Sequence, residues 1–311
     1  MGVRDLTLFA VIFGSAGLAV VAPVAGEAFQ PLLLYFMMLL LFLSFLKIDF
    51  RALLGASPAA LLRLSYLTAI KLIVLPAILY GASLWIMPDY AIPVLLLSGV
   101  STGVVAPFMA TLVEADSAIV LRMVIVTSLL VPFSLPGMVK LLAGAEITIP
   151  LDTMIRMLAL VIFVPLAGVA IVRRMCPGWL ETLTRLQYPI SLVIFGIINL
   201  GVFSKYSGFI FQNPLQLAVA VAVAYVLSVA YYFTGFVAAP DASRSEKLAM
   251  GVSMAIMNNV LIIVFASEFF GPLSPTLAAM YMFPFFTMIV PVKLIRDHTG
   301  WLEPRKKHDL S

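Results

Sequence analysis

Two consecutive asparagines, Asn258 and Asn259, interrupt an otherwise apolar segment, LAMGVSMAIMNNVLIIVFASEFFGP, that runs from Leu248 to Pro272. An earlier segment, IPVLLLSGVSTGVVAPFMATLVEAD from Ile92 to Asp116, repeats the Gly-Val-Ser triplet (Gly99, Val100, Ser101 against Gly251, Val252, Ser253) and is interrupted by Pro107. The chemistry on offer is non-covalent recognition. A helix broken inside hydrocarbon frees N–H and C=O groups that cost several kcal/mol each unless protein, water or a ligand satisfies them. The first break is built from Ser101, Thr102, Gly103 and Pro107, where glycine relaxes the backbone and proline removes a donor. The second is built from Ser253, Asn258 and Asn259, whose side chains can cap the half-helices. Half-helix N-termini are partially positive and suit an anion. The plainer alternative is a pair of kinks in which the amides only join helices. Interruption at matched places in two segments favours a site.

Lys71 is the other residue with chemistry to offer. It lies eight residues beyond Arg63, roughly 12 Å along a helix that rises about 1.5 Å per residue. A lysine at that depth costs about 2.5 to 3.5 kcal/mol, which makes a functional role the default. Its ammonium is expected to stand where a coupling cation would, with hydroxyls and carbonyls around Ser253 and Asn258 as partners. Burial also favours its neutral form, which would couple transport to protons; a lysine facing a watery vestibule is the alternative. Arg122, close to Asp116, is read as an interfacial charge, with attraction of an anionic substrate as the second reading. Arg156 has Asp152 one turn earlier as a helix-surface partner. Asp116 and Glu268 are expected to end their helices near opposite surfaces. Asn199, a lone amide in its span, either faces a cleft or joins two helices.

Covalent chemistry finds no constellation. Both histidines, His298 and His308, fall in a polar tail, and the single cysteine, Cys176, excludes an internal disulfide and a CxxC metal site. No acidic residue lies well inside an apolar run, so neither an enzyme nor a resident metal or other cofactor is expected.

The elements that position these residues are membrane spans. At 63% hydrophobic and 11% charged residues, the chain departs from the composition of soluble domains, which are about half apolar and about a quarter charged. No basic face interleaved with aromatics suggests nucleic acid. Ten runs are long enough for hydrocarbon about 30 Å thick: 6–21, 31–46, 64–86, 92–113, 117–142, 153–172, 186–203, 215–236, 248–270 and 276–295. The first is read as a retained span and not as a signal peptide. With both termini inside, fourteen of the nineteen Lys and Arg fall in cytoplasmic segments, among them Lys47, Arg51, Arg173, Arg174, Arg244 and Lys247. Lys140 and Lys205 fall outside, and Lys71, Arg122 and Arg156 within spans, which fixes the orientation. The two Gly-Val-Ser triplets, 152 residues apart, lay span one over span six and span four over span nine. The expected fold is therefore an all-α membrane protein of ten transmembrane helices, two inverted five-helix repeats (1–143 and 144–311), with broken spans four and nine crossing.

These features resemble the bile acid:sodium symporter family, within a superfamily that also holds arsenite and auxin efflux carriers. The resemblance covers nearly the whole chain. It rests on Lys47, Asp49 and Phe50 in FLKIDFRALL, on the Leu75-Pro76 step, on Gly99-Val100-Ser101, and on Gly251-Val252-Ser253 leading through Asn258 to Phe269-Phe270-Gly271-Pro272. It implies a core domain of spans three to five and eight to ten, a panel domain of spans one, two, six and seven, and substrate bound in the cleft between them. Where sodium-binding members usually carry glutamate and glutamine, this chain has Ser253 and Met257; where they carry Ser-Asn, it has Thr102-Gly103. A polar third-span residue is replaced by Lys71, and the polar residues of span ten by Phe283, Pro284 and Phe285. A hard cation needs several oxygen ligands, so these departures count against ordinary sodium coupling.

The expected function is secondary active transport of a small amphipathic organic anion by alternating access, without sodium coupling of the usual kind. A proton-coupled or efflux carrier resembling the auxin branch is the alternative within transport, and a non-transporting membrane sensor or scaffold the alternative of another class. The expected location is the plasma (inner) membrane, with lipid around a monomer or weak homodimer and both termini cytoplasmic.

Overall fold

In hydrocarbon a backbone must satisfy its own polar groups, and a helix does so within one segment. The computed structural model follows that rule: it describes residues 3–46, 48, 57–144 and 150–298, and within them the only extended pairing is one isolated bridge. Lys47, Asp49, Phe50 and Arg51 of the FLKIDFRALL motif, and Arg305, Lys306, Lys307 and His308 of the tail, lie outside the described residues. In chain order the principal helices are α1 (Val3–Val21), α2 (Val24–Phe45), α3 (Pro58–Ile86), α4 (Ala91–Gly99), α5 (Ala106–Leu112), α6 (Ser117–Ala143), α7 (Leu151–Met175), α8 (Pro177–Lys205), α9 (Pro214–Val237), α10 (Arg244–Ala255), α11 (Asn259–Phe269) and α12 (Leu273–Asp297), with a short helix, Ser207–Gln212, between α8 and α9. Seven of them, α2, α3, α6, α7, α8, α9 and α12, are long and apolar enough to cross a membrane. The protein is an all-α membrane protein.

Two of the apolar runs are not single helices. The run 92–113 divides into α4 and α5, and the run 248–270 into α10 and α11. Helix ends also differ from the hydropathy boundaries. Helix α8 begins at Pro177 instead of 186, and α3 at Pro58 instead of 64, because caps set helix ends where hydropathy sees only the apolar part. The Ser57 side chain accepts from the Ala60 N–H with Pro58 in the first turn, and Pro177 likewise opens α8. Asp116 caps α6 by accepting from the N–H groups of Ala118 and Ile119.

Helices α1, α2, α7 and α8 pack on one another, while α3, α4, α6, α9, α10 and α12 form a second group; α6 of the second also packs on α7 of the first, and α11, which lies mainly against α12, touches α2 and α8. Between α9 and α10 the backbones nearly meet, since a Cβ on Gly235 would lie 2.5 Å from the backbone of Gly251. Within α3 the ladder widens to a π-turn at Ile70–Val74, just ahead of Pro76, which has no N–H to donate. Lys71 sits in that turn, fully buried.

Candidate functional site

The two interruptions form a single structure. Thr102 and Met257 pair as an antiparallel bridge, with the Gly103 N–H donating to the Ile256 carbonyl at 2.8 Å and the Asn258 N–H to the Ser101 carbonyl at 3.0 Å. The last four carbonyls of a helix lack intrahelical partners, and at the end of α10 each of them is met by a different donor. Ser253 O receives the Thr102 hydroxyl at 2.8 Å, Met254 O the Lys71 ammonium at 3.0 Å, Ala255 O the Tyr281 hydroxyl at 2.8 Å, and Ile256 O the Gly103 N–H. The same ammonium reaches Ser98 O, near the end of α4, at 3.5 Å. Lys71 therefore joins the C-terminal ends of both first half-helices, where the helix dipoles place partial negative charge. The Tyr231 ring lies 5.6 Å from its Nζ, and the Tyr231 hydroxyl hydrogen-bonds the Ser98 hydroxyl at 2.8 Å.

The expectation for Lys71 is met in part: Met254 O is a carbonyl beside Ser253, while Ser98 O stands in place of the hydroxyls and of Asn258. The Ser253 hydroxyl turns back onto Ala249 O at 2.7 Å and caps nothing. Asn258 does cap α11, its side-chain oxygen accepting from the Leu261 N–H at 3.3 Å. Pro107 lies in the first turn of α5, where a missing N–H costs nothing, so it opens the second half-helix and the break itself falls before it. Thr102 gains a further hold through its N–H, which donates to the Thr127 hydroxyl at 3.0 Å.

The second half-helices begin at a cleft of about 250 Å³. Gly103, Val104 and Val105 reach it from one break and Met257, Asn258 and Asn259 from the other. Leu40, Leu41 and Ser44 of α2 and residues from Gln187 to Phe195 of α8 form the facing wall, and Met282, Phe285 and Phe286 of α12 close it. None of its lining side chains is charged. Of the residues singled out in the sequence, Gly103, Met257, Asn258, Asn259 and Phe285 line this cleft. Ser101, Thr102, Ser253 and Lys71 are buried behind the crossing, and Pro107 and Asn199 do not reach the cleft; Asn199 is buried farther along α8. Sequence reasoning passed over Gln187 and Ser191, whose signal was present as polar residues four apart in an apolar span, and over Tyr231 and Tyr281, which read as ordinary core aromatics.

No protein-family model matches the chain, and a search of curated proteins finds no match.

At the arginine-rich end, Arg63, Asp116, Arg122 and Glu246 line a second cavity of about 300 Å³. Arg156 and Asp152 pair at 3.4 Å on α7, as their spacing predicts. Glu246 completes a capping box with Ser243 and meets Arg63 at 2.6 Å. Partial burial opposes its charge, but the hydrogen bonds from Ser243 and the Arg63 guanidinium outweigh it and hold the carboxyl below the usual range. Its contribution to stability is therefore fully present above the ordinary glutamate range, about 4.3, and is lost as pH falls through the depressed value. Melting curves from pH 7 down to 3 should show Glu246→Gln falling less steeply than wild type over the acid arm. Parallel curves would rule the contribution out.

Proposed function

We propose that this protein is a secondary active transporter that moves a small amphipathic organic anion by alternating access. The observation that carries the reading is a pair of broken helices, joined at their breaks, whose second halves begin at an apolar cleft. Backbone breaks at membrane depth are tolerated where they line a cavity, and discontinuous helices around a central site are a recurring device of secondary transporters. The start of α11, capped by Asn258, suits the anionic group. Ten spans, an inverted repeat, a panel of α1, α2, α7 and α8 and a core of the remaining helices are the arrangement this reading adopts. Resemblance to the bile acid:sodium symporter family supports it on the residues quoted above. Lys71 takes the place of the coupling cation, which favours transport without sodium; the second reading, coupling to protons, rests on the same buried ammonium.

In this reading the arginine-rich helix ends and both termini are cytoplasmic. The cleft is built from the cytoplasmic halves of α2 and α8, so the molecule is inward-facing. On the outer side α8 closes onto α11: the Lys205 ammonium and the Tyr206 hydroxyl both donate to Ser267 O, at 2.7 and 3.0 Å. A charge-assisted hydrogen bond contributes about 1.5 to 3 kcal/mol, and about 1.4 kcal/mol is tenfold in an equilibrium. With Ser44→Cys as the cleft reporter in a Cys176→Ser background, Lys205→Met with Tyr206→Phe should therefore raise labelling by an impermeant maleimide added outside on the order of tenfold. Labelling from the cytoplasmic side should fall. Unchanged labelling from both sides would sink the inward-facing assignment and with it the alternating-access account.

A further inference from the structure

Three side-chain oxygens of residues that line the cleft lack a hydrogen-bond partner. Asn259 Oδ1, Gln187 Oε1 and Ser191 Oγ are buried and have no hydrogen-bond partner among the described residues, and all three residues line the same cleft. Leaving such a group unmade costs about 1 to 3 kcal/mol, and roughly nine in ten buried polar groups in native structures are satisfied. Of ten such atoms among the described residues, three belong to residues that line one cavity, where a ligand can satisfy them. Gln187 and Ser191 are four residues apart on α8 and so share one face, which continues to Phe195, also on the cleft. Asn259 lies across from them at the start of α11, only 3% exposed; its amide nitrogen is turned toward the Met282 sulfur at 3.3 Å, and its carbonyl oxygen is left without a partner.

Resting on the transport reading above, we infer that Gln187 and Ser191 are specificity-determining residues: with Asn259 opposite, they accept a hydrogen bond from the substrate, which carries a hydroxyl or amide N–H besides its apolar body and its charge. The two amide oxygens accept and cannot donate, and the serine hydroxyl does either. A carboxylate or sulfate would meet two acceptors at these side chains and be repelled, so the anionic group keeps to the backbone N–H groups that open α11, clear of the two amide oxygens. An ordered water could fill the same role, and the apolar remainder of the lining makes a hydroxylated amphipath the better fit. A site built to bond a donor discriminates strongly against the analogue that lacks it, because its own groups are then left unpaired.

The test uses the full-length purified protein and three monoanions, octanoate, 3-hydroxyoctanoate and 8-hydroxyoctanoate, titrated calorimetrically. At least one hydroxylated acid should bind on the order of tenfold more tightly than octanoate. In the double variant Gln187→Leu with Ser191→Ala that gap should shrink to within about twofold. The melting temperature of the double variant should be equal to or above that of wild type, since no protein hydrogen bond is removed; a purely structural role would lower it. Equal binding of all three acids to wild type, or a gap that survives the double substitution, overturns the inference and leaves the organic-anion reading standing. Binding of none of the three overturns that reading and the inference together.

Discussion

Replacing Lys71 with methionine should lower the stability of the purified protein by about 2 to 6 kcal/mol and abolish measurable flux. The magnitude follows from the two carbonyls it would leave unmet, Ser98 O and Met254 O, at about 1 to 3 kcal/mol each. The carbonyls belong to different first half-helices, so the loss acts on the junction itself and not on one helix. A shorter replacement, Lys71→Ala, removes the ammonium but leaves its carbonyl cage. Part of the lost stability should then return in sodium chloride but not in choline chloride, because a small cation can take oxygen ligands that a bulky one cannot. Wild type should show no such difference. Lys71→Gln, assayed across pH with and without sodium, should likewise change the profile of flux. A Lys71→Met protein that melts and transports like wild type would remove Lys71 from the account.

Gly103→Ala should be nearly as damaging, although it adds a single methyl group. The new Cβ would lie 2.5 Å from Met257 O and 2.8 Å from its carbonyl carbon, both backbone atoms that no rotamer change can move. The pairing strands must separate, and the bonds from Gly103 N to Ile256 O and from Asn258 N to Ser101 O weaken with them. Overpacking of this kind costs about 1 to 3 kcal/mol, and two weakened hydrogen bonds add about 0.5 to 1.5 kcal/mol each. Gly137→Ala on α6, where nothing lies within 4 Å of the added atom, serves as the control. It should be neutral or stabilising by up to about 1 kcal/mol through helix propensity. Size-exclusion profiles and melting temperatures of the two variants measure the contrast, and equal behaviour would mean that the crossing tolerates separation.

Residue type made some of this legible and left the rest hidden. Asn258 reads as a cap from its side chain alone, and it caps α11. Lys71 stands out because a charge in an apolar run is costly. Its partners could not be read, since they are backbone carbonyls 27 and 183 residues away and carry no signature of their own. The same holds for the bridge between Thr102 and Met257, which is made of main-chain atoms. Pro107 marks the right neighbourhood, yet proline suits both a break and the first turn after one, and only the backbone separates the two. Gln187 and Ser191 were passed over because the apolar run begins at 186 and placed them near a helix end. Helix α8 starts at Pro177, which puts them about three and about four turns inside it.

The most direct test of the central claim, a carrier whose helix crossing is held by Lys71 in place of a dissolved cation, is efflux from proteoliposomes loaded with a panel of hydroxylated and plain organic acids. Sodium is left out of both compartments, and loss of each acid is followed by mass spectrometry against protein-free vesicles. The account predicts that at least one acid leaves faster with protein than without, at a rate that added sodium does not change. Acids that bind the purified protein but never cross the bilayer, or that cross only when sodium is supplied, would contradict it.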